Sequence, residues 1–210
     1  MLVRRLDEIL GLKETDVYGK ELKRIIEENN LTQFEKLFKE LEDLELSKEE
    51  VYTVNELVYN LEATLEKRLP IPILNYRSKV HDLTIKWLKE IIKRYAKDGE
   101  GLYPGRTLNF WVEIDGKPVR IVGKLDGVIY IKDKNKIKPY GLEVKTFQSL
   151  YSFERQLKRG NIQVHMYAYG SRILDWILIM VKDVPELEKI RNLEELKEKK
   201  LPISYLFVNR

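Results

Sequence analysis

The stretch "KPYGLEVKTF", residues 138–147, decides how the rest of the chain is read. From Gly141 it alternates apolar and charged residues with the period of two that a half-buried strand requires. Leu142 and Val144 belong to one face, and Glu143 and Lys145 to the other. A carboxylate and an ammonium two residues apart on a strand are aimed at one point. The same spacing at Glu21–Lys23, Glu195–Lys197 and Glu198–Lys200 lies in helix-like sequence, where positions i and i+2 do not share a face. Asp115-Gly116-Lys117-Pro118 reads as a hairpin turn. Only 143–145 combines the pair with a strand.

Upstream, "TLNFWVEI" and "VRIVGKLDGVIYI" read as two strands joined by "DGKP", so 138–147 is the third of a set. Before them, Val80, Leu83, Trp87, Leu88, Ile91 and Tyr95 form the apolar stripe of a helix. After them come a helix over roughly 154–173, the apolar strand "DWILIMV", a polar helix "PELEKIRNLEELKEKK" and a last strand "ISYLFV". Residues 1–69 read as helical throughout, with a long helix capped by Ser47 and Glu50. "PIPIL" at 70–74 separates that region from a second unit, 70–210. Trp87, Trp111 and Trp176 are expected in the core.

Composition bounds the chemistry. The 210 residues contain no cysteine, which excludes thiolate nucleophiles, disulfides and iron–sulfur clusters. Abundant Lys and Glu with scarce Gln would suit a hot environment. No apolar run is long enough to cross a membrane, and the first ten residues lack the apolar segment of a secretion signal, so an intracellular protein is expected. Residues 1–70 hold 11 Lys and Arg against 17 Asp and Glu, and the remainder 27 against 17. A basic body beside an acidic N-terminal region suggests a polyanionic partner. No phosphate-binding glycine loop or acyl-transfer triad is present.

Asp126 interrupts the apolar run of "GKLDGVI" on the strand next to Glu143. Two carboxylates brought together require a proton or a hard cation between them, and magnesium suits carboxylates, water and phosphate oxygens. The order helix, three strands, helix, strand, with Gly-x-x-Asp before Glu-x-Lys, resembles the PD-(D/E)XK nuclease superfamily. His81 in "VHDL" on the preceding helix and Gln163-x-x-x-Tyr167 on the following one make it similar to the RecB-like branch. Within that branch, having no cysteine, it resembles the small cysteine-free nucleases of archaeal viruses.

That resemblance covers about residues 77–182. It implies an α/β fold with a restriction-endonuclease-like core, a central mixed sheet flanked by helices in the order αβββαβ, preceded by a helical extension. It implies metal ligation by His81, Asp126, Glu143 and the Val144 carbonyl, with magnesium or manganese as cofactor. Lys145 would be the catalytic base or position the water, and Gln163 and Tyr167 would complete the site. Arg155, Lys158 and Arg159 on the same helix would contact nucleic acid. The expected activity is metal-dependent hydrolysis of DNA phosphodiesters in replication, recombination or repair, in the host cytoplasm if the source is viral. A structure-selective endonuclease of the junction-resolvase type and a catalytically silent DNA-binding module remain the alternatives. Glu113 is a candidate further acid, and the basic run 132–139 a candidate phosphate contact. The amphipathic surplus of residues 1–69 predicts a homodimer.

Overall fold

The computed structural model describes residues 51–65, 79–133, 135–184 and 203–209, with isolated positions 187, 189 and 195 between the last two. Residues 138–147 lie in the central strand of an α/β arrangement with two mixed sheets. This strand, β6 (Lys136–Phe147), pairs antiparallel with β5 (Gly127–Asp133) on one side and parallel with β7 (Asp175–Lys182) on the other. The parallel pair is joined by the helix α3 (Leu150–Ser171), as parallel neighbours need a crossover. With β2 (Gly101–Pro104) and β8 (Ile203–Asn209), the five strands run β2-β5-β6-β7-β8.

A smaller sheet holds β1 (Val51–Thr53), β4 (Lys117–Lys124) and β3 (Thr107–Ile114) in the order β1-β4-β3. The expected strand 119–131 is therefore two strands in two sheets. Residues 101–114 and 117–133 form one long hairpin whose arms both leave one sheet for the other, at Gly105–Arg106 and at Leu125–Asp126. At that bend the Leu125 N–H donates to the Arg106 carbonyl at 3.2 Å. Gly105 is required there, because a Cβ on it would sit 1.6 Å from the Leu125 carbonyl oxygen. The hairpin tip turns through Asp115 and Gly116, with φ of 50° and 66°, as two-residue hairpins favour.

The large sheet separates two apolar cores. On one face Leu142, Val144, Ile177 and Ile179 pack with Val80, Leu88 and Ile92 of α2 (Lys79–Tyr95). On the other, Trp176, Leu178 and Phe147 pack with Phe153 and Leu157 of α3 and with Leu57 and Leu61 of α1 (Val54–Leu65). The stripe expected on α2 is met except at Tyr95, which is half exposed, with Ile92 buried instead. Trp87 and Trp176 are buried, but Trp111 is 57% exposed, because it points outward from the edge strand β3.

The helix expected from Ser47 is corrected at residues 51–53. Strand β1 pairs parallel with β4, and the helix begins only at Val54. A capping box starts it: Thr53 Oγ1 accepts from the Glu56 N–H, and the Thr53 N–H donates to Glu56 Oε2. Residues 51–65 thus pack in the same core as the strands, and their apolar stripe is spent there. The remaining expected elements of 1–50, the Ser47 cap, the "PIPIL" boundary and, apart from Leu187, Lys189 and Glu195, the helix over 185–200 lie outside the described residues. Among the described residues no helix is long and apolar enough to cross a membrane.

Candidate active site

Pairing of β5 with β6 ends at Gly127 opposite Leu142, whereas β6 continues to Phe147 beside β7. Because the chain bends away at Asp126, residues 143–147 have, among the described residues, a strand neighbour on the β7 side only. The gap opens into a cleft of about 1010 Å³.

Asp126 closes the end of that gap. Its Oδ2 accepts the Val144 N–H at 2.8 Å, replacing the strand bond that β5 no longer supplies. A strand residue's N–H and C=O point to the same neighbour, so the Val144 carbonyl also faces the gap. The same Oδ2 lies 3.1 Å from Nε2 of His81, on the first turn of α2. Burial would raise the Asp126 carboxyl, but the His81 hydrogen bond and charge, with Lys145 and the Val144 N–H, hold it below the usual range. His81 moves the opposite way. Burial would lower it, yet the hydrogen bond to Asp126 and that carboxylate's charge raise it.

Glu143 is 3% exposed and faces α3 from the other side of the sheet. Its Oε1 accepts from Lys145 Nζ at 2.6 Å, while its Oε2 is buried without a hydrogen-bond partner. Burial pushes this carboxyl from 4.5 up to about 7; Lys145 opposes the rise and Asp126 reinforces it. The site therefore holds one ionised carboxylate and one poised between charge states.

Tyr167 and Gln163 reach the site from α3. Gly123 of β4 makes room for the tyrosine, since a Cβ there would meet Tyr167 Cε1 at 2.6 Å. The Tyr167 ring stacks on Trp176, and its hydroxyl is hydrogen-bonded by the Lys124 backbone and by Gln163. Burial raises that hydroxyl well above its ordinary value, and the charges of Glu143 and Asp126 add to the effect. Gln163 Nε2 in turn donates to Asn55 Oδ1 on the first turn of α1.

The sequence-predicted residues divide accordingly. His81, Asp126, Glu143, Val144, Lys145, Gln163 and Arg159 all line the cleft, with Tyr167 buried directly behind it. Arg159 and Arg155 both bond Glu62 of α1, and Arg159 also lies over the Tyr59 ring, 4.1 Å from its centroid. Lys158 is exposed and outside the cleft lining. Glu113 is exposed near the hairpin tip, opposite Pro118. His165 is buried with Nδ1 bonded to the Asn161 carbonyl.

Sequence reasoning missed Asn55, Tyr59 and Glu62. Their i, i+4, i+7 spacing was the available signal, a single polar stripe on α1 that meets Gln163, Arg159 and Arg155 in antiparallel order. Lys86 and Lys89 on α2 and Tyr103 on β2, all exposed and lining the cleft, were also missed.

Among the described residues no three acid or imidazole groups already converge as a cation site. Asp126 is engaged with His81, and Glu143 with Lys145. The donor chemistry nevertheless fits a hard divalent cation: two carboxylates in mutual repulsion, one orphaned buried oxygen and a peptide carbonyl at the same gap.

No protein-family model and no curated protein matches the chain. Among solved structures, the crystal structure of SSO0001 is similar over 82% of this chain and 75% of that one, with a TM-score of 0.46 and 20% identity.

Proposed function

We propose that this chain is a magnesium-dependent deoxyribonuclease, built on a restriction-endonuclease-like core of the RecB-like PD-(D/E)XK type and acting inside the cell. The observation that carries the reading is Glu143. Its carboxylate is buried on a strand, shared with Lys145, repelled by Asp126 and left with one oxygen unpartnered at the open edge of a large cleft. A core has no use for such a group, since burying an unsatisfied carboxylate costs stability. A cation-assisted hydrolase does.

Asp126, Glu143 and the Val144 carbonyl would hold the ion, with His81 beside them. Magnesium there supplies Lewis-acid stabilisation of the phosphate and lowers the pKa of water. The chain's own groups do the positioning. Asp126 is fixed by the Val144 N–H and by His81, so its free oxygen has a defined direction. Lys145 Nζ is held against Glu143 Oε1 at the point where a phosphate or an attacking water would sit. Lys86, Lys89 and Lys124 at the cleft wall offer contacts for the DNA backbone.

Labelled single-stranded, duplex and branched DNA, incubated with magnesium, manganese or chelator, tests the reading. Wild-type protein should cleave only with metal, and Asp126→Ala or Glu143→Ala should abolish cleavage without unfolding. Turnover near wild type in either variant places the chemistry elsewhere.

A further inference from the structure

The polar seam between α1 and α3 ends at the cleft, and its last contact is the one nearest the site. Asn55 stands in the first turn of α1, fixed twice over. The Thr53–Glu56 capping box starts the helix, and β1 ties the chain two residues before Asn55 to β4 through Thr53 opposite Val122. Next door, Val54 and Tyr167 press on the same spot. A Cβ on Gly123 would lie 2.9 Å from Val54 Cγ2 and 2.6 Å from Tyr167 Cε1. The start of α1 is thus seated against the tyrosine that Gln163 hydrogen-bonds.

An amide side chain is nearly symmetric in shape and opposite in hydrogen-bonding sense at its two ends. Which way the Gln163 amide presents itself to the tyrosine hydroxyl and the cleft is set by its partner on α1. Here Asn55 Oδ1 accepts from Gln163 Nε2, and Gln163 is only 4% exposed, too confined to choose freely. We infer that Asn55 is a positioning residue that sets the amide orientation of Gln163, making the first turn of α1 part of the active site. This rests on the nuclease reading for its catalytic consequence, but the contact itself does not. Asn55 acts through Gln163 and touches no reacting atom.

The test combines kinetics with a spectroscopic readout on the metal-free protein. Asn55→Ala should lower kcat by ~10-fold through misorientation, with KM within ~2-fold. Asn55→Asp, which keeps an acceptor oxygen, should recover most of that loss. In a Gln163→Ala background, Asn55→Ala should have no further effect. In 15N–1H spectra recorded with chelator, the Gln163 side-chain amide protons should be resolved and slow to exchange in wild type and Asn55→Asp. They should collapse toward the solvent-exposed amide position in Asn55→Ala. Additive losses in the double variant, a change in KM alone, or an unmoved Gln163 amide would each overturn the inference. If wild type fails to cleave DNA under any metal, the nuclease reading falls, and the amide spectra still decide the contact.

Discussion

Glu143 carries the most unusual environment of the described residues, and its protonation makes a prediction about stability. Its carboxyl rises from 4.5 to about 7 in the folded chain, chiefly through burial. The native state therefore binds a proton over a range in which the unfolded chain has released it, so the stability it contributes at acid pH is lost as pH rises through about 7. His81 is also raised, so it acts with the same sign above its unfolded value of 6.5. Asp126 is lowered and acts in the opposite sense, but only below its unfolded value of 3.8. Metal-free protein should therefore melt at progressively lower temperature from about pH 5 to about pH 7. Glu143→Gln should flatten that slope and raise the melting temperature at the alkaline end. Thermal melts in chelator across the range check it, and an unchanged slope would mean that Glu143 is not the group responsible. Lys145 answers to a different measurement. Lys145→Ala should lower turnover by about 10²-fold while leaving metal affinity nearly intact, as loss of a preorganised charge does. Calorimetric metal titration beside single-turnover cleavage separates the two, and a lost affinity with unchanged turnover at saturating metal would reassign the lysine.

Elements create the site by where they stop. β5 gives up its pairing with β6 at Gly127, the chain bends at Asp126, and the edge of β6 that β5 leaves becomes the floor of the cleft. The bend depends on two chain segments passing closer than side chains permit, which makes Gly105 a sensitive position. Gly105→Ala would drive a methyl into the Leu125 carbonyl and should destabilise the fold at or above the upper end of the overpacking range, about 3 kcal/mol. Cleavage should fall as well, through displacement of Asp126. Denaturant titration measures the first, and a variant as stable as wild type would show that the bend can relax. This bend was not legible in the sequence. "VRIVGKLDGVIYI" has unbroken strand character, and only Asp126 flanked by Leu125 and Gly127 hints at a break. Glu143 and Lys145 were legible because alternation within a strand leaves only one face for both. The seam of Asn55, Tyr59 and Glu62 was hidden for the converse reason: a polar stripe on an amphipathic helix looks the same whether it meets water or another helix's arginines. The strand at 51–53 escaped notice because three residues are too few to show a period.

At the scale of the whole molecule, charge and topology cut the chain differently. The charge boundary falls near residue 70, with the acidic excess before it and the basic excess after. The packing boundary does not, because Leu57 and Leu61 share a core with Phe153 and Trp176. Acidic residues before 70 can therefore act within the site region, as Glu62 does by pairing with both Arg155 and Arg159. Two arginines that sequence alone would assign to phosphate are thereby committed to α1. The cations left facing the cleft from exposed positions are on other elements, and Lys86 and Lys89 are the clearest pair, three residues apart on α2 and so on one helical face. DNA affinity should fall linearly with the logarithm of salt concentration, because each phosphate contact releases condensed counterions. Replacing both lysines by alanine should reduce that slope by about 2 and weaken binding alike for unrelated sequences, since phosphate contacts carry no base information. Binding isotherms in chelator, taken over a series of salt concentrations, read the slope without cleavage. A slope unchanged in the double variant would place the DNA backbone off the α2 wall, and would turn attention to Lys124 and the β4 side of the cleft.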